Sequence, residues 1–138
     1  IENVYNLCPL LAQLYVHGDS LRDHLVGVCV ADPVQLAPLA SRVLGREIAP
    51  TDAAALNDAA ADPKVIDAFA RQLAPYGKKA RLNSYEQLQD NIFITVDVFP
   101  AEAMTPTMKA KRNIVAKIYG SKIAELYKAA EGKVRNKL

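Results

Sequence analysis

The sequence is poor in the residues and runs that mark membrane, secreted or metal-binding proteins. Its 138 residues include two cysteines, two histidines and no tryptophan. No apolar run approaches the roughly 20 residues that a membrane-spanning helix needs, and no secretory signal stands at the start. The chain begins with Ile1 rather than methionine, so we expect it to be a piece of a longer protein.

The few cysteines and histidines do not form a metal-ligand pattern. Cys8 and Cys29 both lie in apolar contexts, which favours two buried thiols over a disulfide. His17 and His24 flank a turn that contains Gly18, and we expect both to be surface loop residues. We therefore predict no metal ligands in this chain.

Motifs for nucleophilic catalysis and phosphate binding are also missing. The chain has no Gly-x-Ser-x-Gly elbow and no glycine-rich loop of the Walker or Rossmann type. The run Gly77-Lys78-Lys79 lacks the upstream glycine and the following Ser or Thr of a phosphate loop, and we interpret it as a turn. Asp19 and Asp23 are more typical of solvated residues than of catalytic carboxylates.

What the chain does contain is a strongly basic end. The net charge is +2. From Lys109 onward there are nine Lys or Arg against Glu125 and Glu131, which gives +7 for this segment and leaves −5 for the rest. Such an end can attract phosphates, an anionic lipid surface or nucleic acid. Most of these side chains are better explained as a solvated helix face, and no nucleic-acid-binding motif accompanies them.

The hydrophobic pattern predicts three strands, at Leu11–Val16, Leu25–Ala31 and Ile92–Phe99. The first two can pair as a hairpin. The unbroken apolar run of the second indicates a strand that is covered on both faces. In the third strand, one fully buried face is expected from the alternating residues Ile92, Ile94, Val96 and Val98.

Capping residues predict the helices. Helix starts are expected at Asp32-Pro33, Thr51-Asp52 and Asp62-Pro63. The first of these helices should end at Gly45, and the third near Pro75 and Gly77. A short helix is also expected within Ile1–Cys8, and a long amphipathic one from about Lys111 to Ala130, with Val115, Ile118, Tyr119, Ile123, Leu126 and Tyr127 facing inward.

These elements predict a single small α+β domain over residues 1–138. A roughly three-stranded sheet should be packed by helices, and the domain should end in the long amphipathic helix.

The segment Met104–Arg112, here called the lysine segment, is the strongest candidate for a functional site. Its sequence is Met-Thr-Pro-Thr-Met-Lys-Ala-Lys-Arg, and its Thr and Pro residues favour a short extended loop. The ammonium of Lys109 can bridge two anionic groups and neutralise charge in a transition state. From chemistry alone, a solvated lysine at a helix start is still the stronger interpretation.

Several motifs resemble those of one family, in the same order. They are Ile-Glu-Asn at residues 1–3, Val-His-Gly-Asp-Ser-Leu at 16–21, an apolar run ending in Asp-Pro at 25–33, Ser-Tyr-Glu-Gln at 84–87, and the lysine segment. Together they resemble the C-terminal domain of long-chain fatty-acid CoA ligases, in the adenylate-forming, AMP-binding superfamily. Ala31 and Asn113 stand where prolines are common in that family, and residues 47–61 are unusually rich in alanine, which leaves the subfamily open.

The resemblance implies the mobile lid domain of a larger enzyme. That family uses ATP and Mg²⁺ to convert a fatty acid to an acyl-adenylate, and then transfers the acyl group to coenzyme A. The N-terminal AMP-binding domain would hold most of the ATP, magnesium and fatty-acid sites. This domain alone is therefore expected to hold no cofactor and to be inactive. The hinge motif and the loop used for thioester formation are expected just before Ile1.

The resemblance also implies roles within the lysine segment. Thr105–Lys109 fits the superfamily signature Thr-x-(Ser/Thr)-Gly-Lys, with Met108 in place of the glycine. Lys109 is therefore the predicted catalytic residue, reaching the fatty-acid carboxylate and the ATP phosphate in the first half-reaction, and Lys111 is the runner-up. The predicted substrate-binding residues are Thr107, Lys111 and Arg112.

The last residues bear on location. The run Asn136-Lys137-Leu138, taken as a native end, resembles a variant of the Ser-Lys-Leu peroxisomal address, and implies an import receptor as a partner. The alternative is a basic tail without an address, on an enzyme at the cytosolic face of the endoplasmic reticulum or another membrane.

A different class of function also fits the basic end. The chain could be a non-catalytic binding module whose C-terminal helix holds anionic partners. Tight, salt-sensitive binding to nucleic acid or lipid, without an upstream ligase domain, would favour that class.

Overall fold

The computed structural model describes residues 5–18, 25–81, 91–107 and 111–137, and gives side chains as far as residue 129. The elements are β1 (Leu11–Gly18), β2 (Leu25–Ala31), α1 (Pro33–Leu44), α2 (Ala53–Ala60), α3 (Pro63–Lys79), β3 (Ile92–Thr95), a 3₁₀ turn (Ala101–Ala103), α4 (Arg112–Ile118) and α5 (Gly120–Lys137). The predicted α+β class with a three-stranded sheet is confirmed.

The sheet is mixed, and β2 is its central strand. β1 and β2 form the predicted antiparallel hairpin, from Leu11 opposite Ala31 to Gly18 opposite Leu25. β3 pairs in parallel with the other edge of β2. A parallel pair needs a long crossover connection, and the chain from α1 through α3 lies within that connection.

Both faces of the sheet are covered, as predicted for β2. On one face Cys29 and Ala31 pack with the apolar sides of α1, α2 and α3. On the other face Val26, Val28 and Val30 pack with residues of the chain beyond β3, namely Phe99, Ala103, Val115, Ile123 and Tyr127. Met104, where the chain continues beyond Ala103, also packs against this second cluster.

The predicted helix starts are confirmed, because each is encoded by a local cap. The carboxylates of Asp32, Asp52 and Asp62 accept hydrogen bonds from backbone N–H groups at 3.0, 3.1 and 2.9 Å. A cap of this kind contributes about 1 kcal/mol. The α1 helix ends, as predicted, at Gly45, whose φ of 67° is left-handed.

The predicted end of α3 is wrong. The helix continues through Pro75 and Gly77 to Lys79, so Gly77-Lys78-Lys79 is helical rather than a turn. Pro75 lies on the exposed side of the helix, where water can reach the Arg71 carbonyl that loses its N–H partner. On the opposite side Gly77 is buried against Tyr5, and this packing favours continuation.

The third strand is shorter than predicted. It ends at Thr95 rather than at Phe99, and Val98 is 67% exposed instead of inward. Phe99, placed on the opposite face by the strand pattern, is buried in the second cluster. The backbone beyond Thr95 bonds to side chains instead of to β2, as described below.

The long final helix is interrupted at Tyr119, which separates α4 from α5. Gly120 follows the break, and glycine is a poor helix former. Val115 before the break and Ile123 after it are both buried in the second cluster. Ile118, predicted to face inward, is 47% exposed, because the break changes which residues face the sheet.

The remaining predictions concern residues at the margins of the described ranges or outside them. The expected helix within Ile1–Cys8 lies partly outside them, and inside them Tyr5 is helical while residues 6–10 form turns. His17 lies on β1 rather than in a loop. The predictions for Asp19, Asp23 and His24, and the 84–87 motif, fall outside the described residues.

Candidate functional site

The chain that leads to the lysine segment leaves the sheet at the end of β3, where it bonds to the side chain of Asn57 on α2. The Oδ1 atom of Asn57 accepts hydrogen bonds from the Thr95 hydroxyl at 3.1 Å and from the Val96 backbone N–H at 2.9 Å. Its Nδ2 donates to the Asp97 carboxylate at 3.3 Å. A side chain thus supplies the acceptor that a neighbouring strand would otherwise provide, and the chain leaves the sheet here.

The next stretch is held by Gln13 on β1. Its Oε1 accepts a hydrogen bond from the Phe99 backbone N–H at 2.8 Å, and its Nε2 donates to the Met104 sulfur at 3.6 Å. Phe99 and Ala103 are both buried, so the chain between them is anchored by apolar packing as well. One glutamine therefore contacts both ends of the stretch that leads into the lysine segment.

The lysine segment is closed at its base. The Lys111 backbone N–H donates to the Ala103 carbonyl at 2.7 Å. This hydrogen bond brings the backbone at Ala103 and the backbone at Lys111 together. Within the first half, the Thr105 and Thr107 hydroxyls lie 3.1 Å apart. The described backbone on the two sides of residues 108–110 is thus joined at Ala103 and Lys111.

Arg112, at the C-terminal end of the lysine segment, contacts β1. Its guanidinium donates to the Val16 carbonyl at 2.6 Å and lies over the Tyr15 ring, 5.1 Å from the centroid. A carbonyl and an aromatic face are both favourable neighbours for a guanidinium. The contacts described for this predicted substrate-binding residue thus lie within its own domain, and its role toward a substrate stays a prediction.

The other predicted site residues fall into two groups. The side chains of Thr107 and Lys111 are exposed, so both can reach a ligand outside the domain. Lys109 and Leu138 lie outside the described residues. Asn136 and Lys137 are the last residues of α5, and their side chains also lie outside the description.

A polar and aromatic cluster at the end of β1 was not predicted. The Tyr15 hydroxyl is 2.8 Å from Nδ1 of His17, and the Tyr127 hydroxyl donates to the His17 carbonyl at 3.3 Å. Since Arg112 lies over Tyr15, the cluster joins β1, α4 and α5 beside the lysine segment.

Sequence reasoning also missed Gln13 and Asn57. The only local signal for Gln13 is that it is a polar residue in an apolar strand, and the only one for Asn57 is that it is a polar residue in an alanine-rich helix.

The buried thiols are unsuited to nucleophilic chemistry. Cys8 and Cys29 are free and buried, as predicted. Burial raises the pKa of both thiols, and the neighbouring Cys8 raises that of Cys29 further. Burial, together with the Asp97 carboxylate, also raises the pKa of Tyr119. These groups stay protonated at neutral pH, and a thiol is a much weaker nucleophile than a thiolate.

The described part of the chain contains neither a metal-ligand cluster nor a membrane-spanning helix. No three His, Cys, Asp or Glu side chains there come together as a metal ion would require. No helix in the same ranges is long and apolar enough to cross a membrane. Lys111, Lys117 and Lys128 are exposed, in keeping with a solvated basic face.

Comparison by sequence finds ligases. No family model matches the chain. The peroxisomal acyl-CoA ligase 891 of Penicillium roqueforti (strain FM164) is 43% identical over 122 residues, or 87% of this chain and 17% of that protein. The long-chain-fatty-acid–CoA ligase 5 of Mus musculus is 35% identical over 95% of this chain and 18% of its own length. The long-chain-fatty-acid–CoA ligase 6 of Homo sapiens is 36% identical over 92% of this chain and 17% of its own.

Comparison by structure finds adenylation domains. That of the carboxylate reductase from Mycobacterium chelonae matches with a TM-score of 0.64 and 25% identity, over 91% of this chain and 17% of that one. The A domain of a carboxylic acid reductase from Segniliparus rugosus, solved with AMP and a co-purified carboxylic acid, matches with a TM-score of 0.61 and 27% identity, over 94% of this chain and 17% of that one.

The sequence and structure comparisons agree. The chain spans 17–18% of the length of these curated relatives, and nearly all of it is matched. The relatives are ligases rather than binding modules, so the non-catalytic alternative is not favoured. The chain belongs to the acyl-CoA ligase family of the adenylate-forming, AMP-binding superfamily, as a C-terminal domain of such an enzyme.

Proposed function

We propose that this domain is the lid of an ATP-dependent long-chain fatty-acid CoA ligase, and that it supplies Lys109 for acyl-adenylate formation. The observation that carries the proposal is the closed base of the lysine segment. The Lys111–Ala103 backbone bond and the contact of Arg112 with Val16 hold the C-terminal end of the segment on the domain. A lysine between such fixed points can be presented to a substrate that lies outside the domain.

The proposed chemistry is electrostatic. In the first half-reaction the fatty-acid carboxylate attacks the α-phosphorus of ATP, and pyrophosphate leaves. Two anions must approach each other, and negative charge builds on the phosphoryl oxygens. The Lys109 ammonium would lie between carboxylate and phosphate and offset that charge, while Thr107 and Lys111 would donate hydrogen bonds to phosphate oxygens. Arg112 would hold the C-terminal end of the segment against β1.

The second half-reaction needs a different arrangement. We propose that the domain rotates on the N-terminal AMP-binding domain of the same chain, so that coenzyme A can reach the acyl-adenylate. Lys109 would then leave the active site and take no part in thioester formation. The similarity to an adenylation domain solved with AMP and a carboxylic acid supports the general scheme.

The cofactors belong mainly to the rest of the enzyme. We propose that ATP, Mg²⁺ and coenzyme A are bound by the full-length ligase. Within it, a magnesium ion would be held by the N-terminal domain and by the ATP phosphates. We propose no nucleic-acid partner.

Alanine substitutions in the full-length ligase test the assignment of the lysine. Lys109→Ala should lower acyl-CoA formation by about 10²–10³-fold, the loss typical of one transition-state donor. Lys111→Ala should cost less, and Lys117→Ala, an exposed lysine of α4, serves as the matched control. Full activity in Lys109→Ala, or a larger loss in Lys111→Ala, would contradict the assignment.

We also propose that the ligase works in the peroxisome, with an import receptor as partner. The support is the Penicillium relative named as peroxisomal and the Asn136-Lys137-Leu138 sequence. A fluorescent reporter that ends in these three residues should enter peroxisomes, while a reporter with Leu138→Ala should remain outside. Equal distribution of the two reporters between peroxisomes and cytosol would contradict this proposal.

A further inference from the structure

The Gln13 side chain crosses from β1 to the stretch that leads into the lysine segment. It accepts from the Phe99 N–H at 2.8 Å and donates to the Met104 sulfur at 3.6 Å, across 86 and 91 residues of sequence. Both contacts are partly buried. None of the functional roles assigned above includes this residue.

A β-bulge explains why Gln13 can make these contacts. β1 pairs Leu11 with Ala31 and then Gln13 with Val30, so Ala12 is an extra residue in the ladder. A bulge bends its strand and re-aims the neighbouring side chains. β1 is also an edge strand. Gln13 therefore meets the Phe99–Met104 chain, which joins the layer on the second face of the sheet.

The two ends of the lysine segment are thus both attached to β1. Gln13 contacts Met104 at the N-terminal end, and the Val16 carbonyl accepts from Arg112 at the C-terminal end. Gln13 and Val16 are three residues apart, or about 10 Å along a strand. The strand therefore sets the separation of the two ends, and the Lys111 N–H, next to Arg112, donates to the carbonyl of Ala103, next to Met104.

We propose that Gln13 is a positioning residue for adenylate formation, which sets the entry of the lysine segment and thereby the reach of Lys109. This inference rests on the proposed function. Without Gln13 the Phe99 N–H loses its acceptor, and the N-terminal end of the segment loses its side-chain contact with β1, while the Lys111–Ala103 backbone bond remains. The ammonium then spends less time at the reacting groups, although no substrate contact has been removed.

The test is made in the full-length ligase with Gln13→Leu, which removes both hydrogen bonds and keeps a similar volume. Adenylate formation, followed by ATP–pyrophosphate exchange, should fall about 10–100-fold in kcat with KM nearly unchanged, the scale expected for a displaced catalytic group. Acyl transfer from preformed acyl-adenylate to coenzyme A should stay at the parent rate. Gln13→Glu keeps the acceptor for the Phe99 N–H and should recover most of the exchange rate.

Two controls separate positioning from general stability. Gln72→Leu, on the exposed side of α3, makes the same chemical change away from the segment and should leave both half-reactions unchanged. If Gln13→Leu fails to fold, Gln13→Ala removes the same two hydrogen bonds without adding a branched side chain and is tested in its place. Equal loss in both half-reactions, or no recovery in Gln13→Glu, would overturn the proposal.

A double-mutant cycle tests whether Gln13 acts through Lys109. When Lys109→Ala has already removed the ammonium, adding Gln13→Leu should cause no further loss of exchange. A full additional loss in that background would overturn the positioning role. If Lys109→Ala itself leaves exchange intact, the proposed function fails. If Lys109→Ala abolishes exchange and Gln13→Leu does not lower it, only the role of Gln13 fails.

Discussion

Gly77 lies inside α3, where its Cα faces the buried ring of Tyr5. A Cβ at this position would lie 2.5 Å from the Tyr5 hydroxyl and 3.1 Å from Cζ. Tyr5 is 1% exposed, so its ring has little room to move. The glycine therefore permits a close contact between α3 and the start of the chain, although its sequence context suggested a helix end.

We expect Gly77→Ala to destabilise the domain. The overpacking cost of about 1–3 kcal/mol should exceed the gain of about 1 kcal/mol in helix propensity. Urea unfolding of the 138-residue chain measures the difference. Gly120→Ala is the matched control, because nothing lies within 4 Å of a Cβ there, and it should be neutral or stabilising. Stabilisation by Gly77→Ala would show that Tyr5 can yield.

Because the thiol of Cys29 is buried, we expect the free energy of unfolding to fall as the pH becomes alkaline. Its pKa is raised in the folded protein, first by burial and then by Cys8. The unfolded thiol titrates near pH 8.5, so the folded state binds more protons above that value. Its contribution is fully present below about pH 8.5 and is lost as the pH rises, by up to about 1.4 kcal/mol per pH unit.

Unfolding free energies at pH 8, 9 and 10 check this expectation. The free energy of unfolding of the parent chain should fall across the series. In Cys29→Ala the slope of this free energy against pH should be smaller, by the equivalent of up to one bound proton. Cys8, whose pKa is also raised, accounts for part of the remaining slope. Identical slopes in Cys29→Ala and the parent would contradict the account.

At the scale of elements, Asn57 decides where β3 ends. It makes three hydrogen bonds to Thr95, Val96 and Asp97. Asn57→Ala leaves the Val96 N–H without this acceptor and should lower the free energy of unfolding by about 1–3 kcal/mol. Asp58→Ala, at the exposed neighbouring position, should have little effect. Equal stability of the two variants would show that Asn57 does not hold the end of the strand.

The elements that could be predicted from sequence are those with local causes. The starts of α1, α2 and α3 follow from Asp caps within four residues of the bonds they accept. The end of β3 depends on a side chain 39 residues away in sequence, and the continuation of α3 depends on contact with Tyr5. No local pattern carries that information, so these boundaries were wrong.

The same distinction applies to the candidate site. The lysine segment was found through motifs in a contiguous run. Gln13 was not found, because its partners lie 86 and 91 residues away and the bulge that aims it appears only once β1 is paired. Arg112 was found, but no local pattern indicated that its guanidinium contacts the Val16 carbonyl.

At the scale of the molecule, both faces of the sheet are buried, and the two ends of the lysine segment, Met104 and Arg112, contact β1. The proposed substrates would be bound mainly by the N-terminal domain, so the 138-residue chain should form no acyl-CoA from a long-chain fatty acid, ATP, Mg²⁺ and coenzyme A. Thioester formation by the purified chain is the measurement. Robust turnover would show that the domain holds a complete active site.

The central claim is that Lys109 acts in one of two half-reactions. The most direct test measures both in the Lys109→Ala variant of the full-length ligase, as ATP–pyrophosphate exchange and as acyl transfer from preformed acyl-adenylate to coenzyme A. We predict that exchange falls by about 10²–10³-fold while acyl transfer keeps the parent rate. Equal loss in both, or unchanged exchange, would contradict the account.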